Sequence, residues 1–344
     1  MKNQLKINLT LFLVLIFQGF AFAQGKSDLP LFNSEDAIEL RLSFSSKELK
    51  KEKADSVYFP SIMHFRTSGG EWDSIKVDLR ARGNFRRNQC FFPPIRIKVK
   101  KKDSNGTIFE GNKALKLVVP CKNAKADNDQ IVKELLCYKL NEQVTPHFFS
   151  TRSVNLTLTD EGSKNPKSYE LKAFLIEDDD LVAERADSKI AKGKQILPGR
   201  LQEVAAVRID FFEFMIANTD WSSVAQHNIK VMQTPNNDFI PIAYDFDMSG
   251  IVHAYYSTTS ELLNISSVRE RVYRGFCRSD AAMQQVREEY LASESKIMEV
   301  VDGFEPELGS KEVADIKKYL GEFFDILKND KQFNEQILSK CRTS

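Results

Sequence analysis

The chain has 344 residues, of which 49 are Lys or Arg and 48 are Asp or Glu, so with neutral His its formal charge is only +1. A balance this close excludes a nucleic-acid partner held by bulk charge and an acidic tail, because both need a sustained excess of one sign. With 42% hydrophobic residues the chain can bury a sizeable core, which excludes a disordered or collagen-like polymer.

Residues 1–23 begin with Lys2 and Lys6, continue through the apolar run Leu9–Phe17, and end in Ala21-Phe22-Ala23 before Gln24. That order is the layout of a secretory signal peptide cleaved after Ala23. The expected destination is exported: periplasm, cell surface or extracellular space. No later stretch is apolar for long enough to predict a membrane span. An oxidising destination gives the five cysteines meaning. Cys90, Cys121, Cys137, Cys277 and Cys341 lack the spacing of a zinc site. Cys90 and Cys121 flank predicted neighbouring strands and are the first pair to test for a disulfide. Cys137, inside an amphipathic helix, reads as a buried thiol.

Residues 24–36 read as a linker. From Ala37 to about Ile176 the pattern is strand-like, with apolar residues at period two in Ile38-Leu40-Leu42-Phe44, Ile75-Val77-Leu79 and Ile95-Ile97-Val99. Gly69-Gly70 and Asn105-Gly106 mark turns. One helix interrupts, Asp127 to Val144, with Ile131, Leu135 and Tyr138 at helical spacing. Strands at Ser153–Thr159 and Tyr169–Ile176 follow. Beyond Glu177 the pattern becomes helical: Pro198-Gly199 opens a helix to Ile216, and Asp280 to Cys341 is mostly amphipathic helix broken near Gly303–Gly309. Between them two strands, Asn228–Met232 and Phe239–Tyr244, are joined by the turn Pro235-Asn236-Asn237-Asp238. The expected class is α+β, with a β-rich part at 37–177 containing one helix and a mainly helical part at 178–344.

The chemistry concentrates between Ala217 and Gly250. A polar loop after a helix presents Asp220, His227-Asn228 closes that loop, and Asp245-Phe246-Asp247 emerges directly after a strand. Phosphoryl transfer needs this set: one Asp to orient the attacking hydroxyl, and an Asn with a second Asp to hold the metal that neutralises the phosphates. Protein kinases present the three in this order, and here Asn228 follows Asp220 by eight residues and Asp245 follows it by 25.

On these residues the span from about Leu79 to Gly250 resembles the spore coat protein H (CotH-like) family of secreted atypical kinases, relatives of the protein and lipid kinases. Arg82-Gly83-Asn84 resembles that family's Arg-Gly-Asn motif, followed here by Phe85-Arg86 where Ser-Ser is usual. Pro94–Val99 and Leu115–Leu117 resemble its next two strands, Ile131–Leu140 its lone N-lobe helix, and Phe174–Glu177 its inter-lobe linker. The resemblance implies a two-lobed kinase-like fold, with a catalytic loop and a metal-binding hairpin in the C-lobe. It implies transfer of the γ-phosphate of ATP, bridged by Mg²⁺ or Mn²⁺, to Ser or Thr of an exported protein substrate. Asp220 falls on the catalytic position, and Asn228 and Asp245 on the metal positions; Asp247, where protein kinases have Gly, could add a ligand. Lys98, or else Lys116, would meet the phosphates, with Glu134 as the ion-pair partner of that lysine. Arg82, Gly83 and Asn84 would cradle phosphate in place of the absent Gly-rich loop, and Glu177 would stand on the nucleotide side of the linker. The missing Gly-rich loop keeps a second function open, a catalytically inactive scaffold of the periplasm or cell surface; a metal-dependent hydrolase on the same carboxylates is a third. Asp178-Asp179-Asp180 and Lys100-Lys101-Lys102 read as solvated charge, His227 as a structural histidine, and Arg269–Arg278 as a helix with a charged face.

Overall fold

The computed structural model describes residues 26–83, 85–193, 195–259 and 263–343. The signal peptide expected at 1–23 and the phosphate-loop candidate Asn84 lie outside the described residues.

In the first half, β1 (Ile38–Phe44) is followed by α1 (Ser46–Lys51), β2 (Phe59–Arg66), β3 (Asp73–Ala81), α2 (Phe85–Gln89), β4 (Ile95–Val99), α3 (Lys101–Ser104) and β5 (Ala114–Val118). Then come α4 (Lys125–Asn141), β6 (Thr151–Asp160) and β7 (Lys167–Ile176). The seven strands close into a barrel in the order β1-β2-β3-β4-β5-β7-β6. All pairings are antiparallel except the one that closes the ring, β1 with β6, which runs parallel from Ile38 beside Val154 to Phe44 beside Asp160. Because side chains alternate across a strand, every second residue points inward. The interior is therefore filled by Leu40 and Leu42 of β1, Val77 and Leu79 of β3, Ile97 of β4, Leu156 of β6 and their inward neighbours.

The second half contains α5 (Asp179–Arg185), β8 (Lys189–Ile190), α6 (Glu203–Met215), β9 (Ile229–Gln233), β10 (Phe239–Ala243), α7 (Asp280–Asp302), α8 (Glu305–Leu308), α9 (Ser310–Lys328) and α10 (Asp330–Gln336). Strands β8, β9 and β10 form a separate three-stranded sheet. Helix α6 buries most of its length, Val207, Ile209, Phe211, Phe212 and Phe214 included, in a second core.

This architecture overturns the expected two-lobed kinase-like fold with one helix in a β-rich first half. The sheet is a closed seven-stranded mixed barrel, and ten α-helices occur among the described residues, four of them in the first half. Two physical features account for the difference. Strand β2 buries only Met63 and Phe65, so its alternation is too weak to announce a strand. The closing β1–β6 pair joins segments more than a hundred residues apart, which no local pattern records. Helix α4, expected to serve the β-rich part, gives Ile131, Leu135, Leu136, Tyr138 and Leu140 to the second core instead.

The stretch expected as a linker packs onto the barrel. Leu31 and Phe32 are buried in its core, and Arg152 Nη1 donates to the carbonyls of Leu31 (3.1 Å) and Ser34 (2.6 Å). Two disulfides form: Cys90–Cys121, as expected, and Cys277–Cys341; Cys137 is a buried free thiol. Two disulfides fit a protein that folds in an oxidising compartment. Among the described residues no helix is long and apolar enough to cross a membrane.

Candidate active site

Helix α6 ends in a loop whose bends are written into its side chains. Ala217 turns with a left-handed φ of 51°, and the Asn218 side chain accepts a hydrogen bond from the Asp220 amide at 3.0 Å, a local Asx turn. Buried Trp221 anchors the loop, and paired backbone bonds between Ser222 and His227 (2.9 and 3.0 Å) pinch it shut. Asn228 leaves the pinch at φ 52° and leads into β9. Across the hairpin, the Tyr244 amide donates to the Asn228 carbonyl at 3.1 Å, so Asp245 begins beside Asn228 at the open end of β9 and β10.

The Asn228 amide group grips Asp220 twice. Its Nδ2 donates to the Asp220 carbonyl (2.7 Å) and to Oδ2 (3.0 Å), while His227 Nε2 meets Oδ1 at 3.0 Å. With Nδ2 so engaged, Oδ1 is the end of Asn228 left to a cation. Asp245 is held in the left-handed region at φ 67°, and its amide donates to the Tyr138 hydroxyl of α4 at 2.9 Å. Phe246 plugs the core between Tyr138 and Phe212, which fixes the carboxylates on either side of it. The chain then returns so closely that Gly250 could not carry a side chain: an added Cβ would lie 2.8 Å from the Val268 carbonyl and 2.9 Å from Ala217 Cβ. The Arg269–Arg278 segment, expected as a helix, is irregular and props this loop instead, Arg274 donating to the Thr219 carbonyl and Arg269 to that of Gly250 (3.3 Å).

Asp247 is buried and accepts from the Tyr256 hydroxyl at 3.0 Å. Burial and the neighbouring Asp245 charge push its carboxyl up to about 6, against the pull of Arg86. Glu134, on α4, is 1% exposed, and neither carboxylate oxygen has a hydrogen bond among the described residues. Burial, then the charge of Asp247, raises it well above the usual carboxylate range. The cation paired with it is Arg86, Nη1 lying 4.0 Å from Glu134 Oε2, and not the lysine expected from the sequence.

Neither candidate lysine pairs with Glu134. Lys98 is exposed on the outer face of the barrel, 5.7 Å from the Tyr58 ring. Lys116 is buried between the rings of Phe149 and Tyr244 and forms an ion pair with Asp179, to which Lys230 also reaches at 3.3 Å. Asp178 pairs with Arg96 at 2.6 Å, so two members of the acidic run expected to be solvated are fastened at the seam. Glu177 is committed to the Ser150 amide (3.0 Å) and to Arg185, which ties the end of β7. Arg82 lies where its charge acts on both Lys116 and Glu134, and Gly83 takes the left-handed φ of 72° that a glycine adopts without strain.

The structure thus brings together Asp220 and Asn228 by direct bonds, and Asp245, Asp247, Glu134 and Arg82 by mutual electrostatics; it leaves Lys98 and Glu177 apart. Sequence reasoning missed Arg86, Asp179, Lys230 and Tyr256. The only trace of the first was a basic residue standing where the resembling motif has Ser. Among the described residues no three His, Cys, Asp or Glu side chains stand close enough together to hold a metal ion. The oxygens on offer, Asn228 Oδ1 and the carboxylates of Asp245 and Asp247, are hard donors of the kind Mg²⁺ and Mn²⁺ prefer, and the buried Asp247 gains from added positive charge. Compared with known proteins, the chain matches no family model and no curated protein.

Proposed function

We propose that the chain is an exported phosphotransferase of the CotH-like kind, moving the γ-phosphoryl group of ATP to a Ser or Thr hydroxyl of an exported protein. The observation that carries this reading is the double grip of Asn228 on Asp220 at the same hairpin end from which Asp245 departs. The reading rests on this site and not on the fold. Asp220, with 41% of its side chain exposed, is open to an acceptor hydroxyl. Its carboxylate orients that hydroxyl and takes its proton as the oxygen attacks the γ-phosphorus and the bond to the β-phosphate breaks, releasing ADP. Asn228 and His227 fix the direction of the Asp220 carboxylate. Asn228 Oδ1, Asp245 and Asp247 would hold Mg²⁺ or Mn²⁺, whose bound charge would neutralise the phosphates. Export is supported by the signal layout and the two disulfides.

The test is transfer of label from γ-labelled ATP, with Mg²⁺ or Mn²⁺, to a generic protein acceptor or to the chain itself. Asp220→Ala should lower the rate by about 10²–10⁴-fold. Full activity in that variant, or none in the parent with either metal, would sink the reading. A non-catalytic scaffold is the second reading. It is favoured by the commitment of Lys116 to Asp179 and the outward position of Lys98, and a parent whose melting temperature ignores nucleotide and metal would support it.

A further inference from the structure

Helix α2 has five residues and starts at Phe85, directly after the Arg82-Gly83-Asn84 sequence motif. It carries two adjacent arginines that are equally buried, at 7% and 8% exposure, yet they diverge. Arg87 donates to the Glu52 carbonyl beside α1. Arg86 turns inward. Its Nη2 donates to the Val119 carbonyl, and its Nη1 lies 4.0 Å from Glu134 Oε2 and 4.0 Å from Asp247 Oδ2. The guanidinium carbon is 6.0 Å from the centre of the Tyr256 ring, whose hydroxyl holds the same Asp247 oxygen.

We propose that Arg86 is the positioning residue of the metal–nucleotide site: it spaces Glu134 and Asp247 around one guanidinium and so presents the carboxylates to the incoming complex. The inference rests on the phosphotransfer reading, and deepens it by naming the cation that replaces the expected lysine. Three features support it. A separation of 4.0 Å is longer than a hydrogen bond, and both Glu134 oxygens are buried without one among the described residues, so the guanidinium holds the two carboxylates by charge and leaves the Glu134 oxygens their hydrogen-bonding capacity. Only a planar fork of several donors can serve a carbonyl and two carboxylates at once, which a lysine ammonium does less well. Finally, the arginine is preset. The Cys90 amide donates to the Arg86 carbonyl at 2.9 Å, Cys90 is bonded to Cys121, and the Phe91 amide donates to the Cys121 carbonyl at 2.9 Å. The helix bearing Arg86 is thereby pinned to the segment that supplies Val119.

The experiment compares Arg86→Gln with Arg87→Gln, which removes an equally buried guanidinium from the same helix but on the side away from the carboxylates. Binding of Mn²⁺ with a non-hydrolysable ATP analogue is measured by calorimetry on the oxidised full chain, alongside kcat and KM for ATP. Arg86→Gln should weaken binding by about tenfold or more and lower kcat as well, Arg86→Lys should recover part of the loss, and Arg87→Gln should stay within about twofold of the parent. Binding in Arg86→Gln within about twofold of the parent would overturn the inference alone, and so would an equal loss in Arg87→Gln, which would make the effect one of helix packing. A parent that binds no metal–nucleotide overturns the phosphotransfer reading and this inference with it. If Arg86→Gln does not fold, Arg86→Lys against Arg87→Lys gives the same comparison with charge retained.

Discussion

Asn228 serves the site through two separable parts. Its side chain bonds Asp220 through Nδ2, and its backbone sits at φ 52°, where a residue with a Cβ is strained and Asn tolerates the strain better than most. Alanine removes the amide and meets the strain, whereas glycine removes the amide and relieves it. Both Asn228→Ala and Asn228→Gly are therefore expected to lose most phosphoryl transfer, while urea melts should find the glycine variant more stable than the alanine variant by about 1 kcal/mol. Transfer retained in either variant would mean that the grip on Asp220 is structural only. Asp245 likewise has a left-handed backbone, at φ 67°, and its N–H donates a hydrogen bond to the Tyr138 hydroxyl, so its place is set by α4 as much as by the hairpin.

Helix α5 joins the barrel to the three-stranded sheet. Asp178 caps it, accepting from the Asp180 amide at 3.1 Å, and Asp179 bonds to Lys116 of β5 and Lys230 of β9. Burial alone would raise the Asp179 carboxyl, but the two ammonium groups outweigh it and leave it at about 2, below its ordinary 3.8. A carboxylate lowered on folding stabilises the native state fully above its unfolded value, and that contribution is lost as pH falls from near 4 through about 2. Asp179→Ala leaves Lys116 buried without its partner and is expected to cost roughly 3–5 kcal/mol at pH 7, and to lose this part of the acid dependence, in urea titrations at neutral and acid pH. A change below about 1 kcal/mol would show that solvent already satisfies Lys116. The sequence could not reveal this clasp, because three successive aspartates look solvated until distant strands bring lysines to them. Features with a local period were legible: the inward residues of β1, β3, β4, β6 and β7, helix α4, the helical tail, and Asp220, Asn228 and Asp245, which one loop and one hairpin deliver. Features made by distance were not: barrel closure through β1 and β6, the core to which α4 belongs, and Arg86 between Glu134 and Asp247.

Across the molecule the described residues form two hydrophobic cores, and each disulfide fastens a segment that borders the candidate site. Cys90–Cys121 holds α2 against the strand end that precedes α4, whereas Cys277–Cys341 joins the last residues to the arginine segment that props the Asp220 loop. Backbone bonds run alongside the second bridge, from the Cys277 amide to the Arg342 carbonyl and from the Arg342 amide to the Gly275 carbonyl, both 2.9 Å. With a sequence separation of 64 between its ends, that bridge should stabilise the fold by about 4 kcal/mol through loop closure, to be read as the difference between Cys341→Ser and the parent in denaturant melts. A chain terminus is ordinarily the first part to fray. Here helices α7 to α10 lie inside a covalent ring whose clasp adjoins Gly275 and Arg274. A protease that cuts once within the ring therefore opens it without releasing a fragment: the nicked chain keeps its mass until a reductant is added, and the severed helices stay tethered to the segment that supports Asp220.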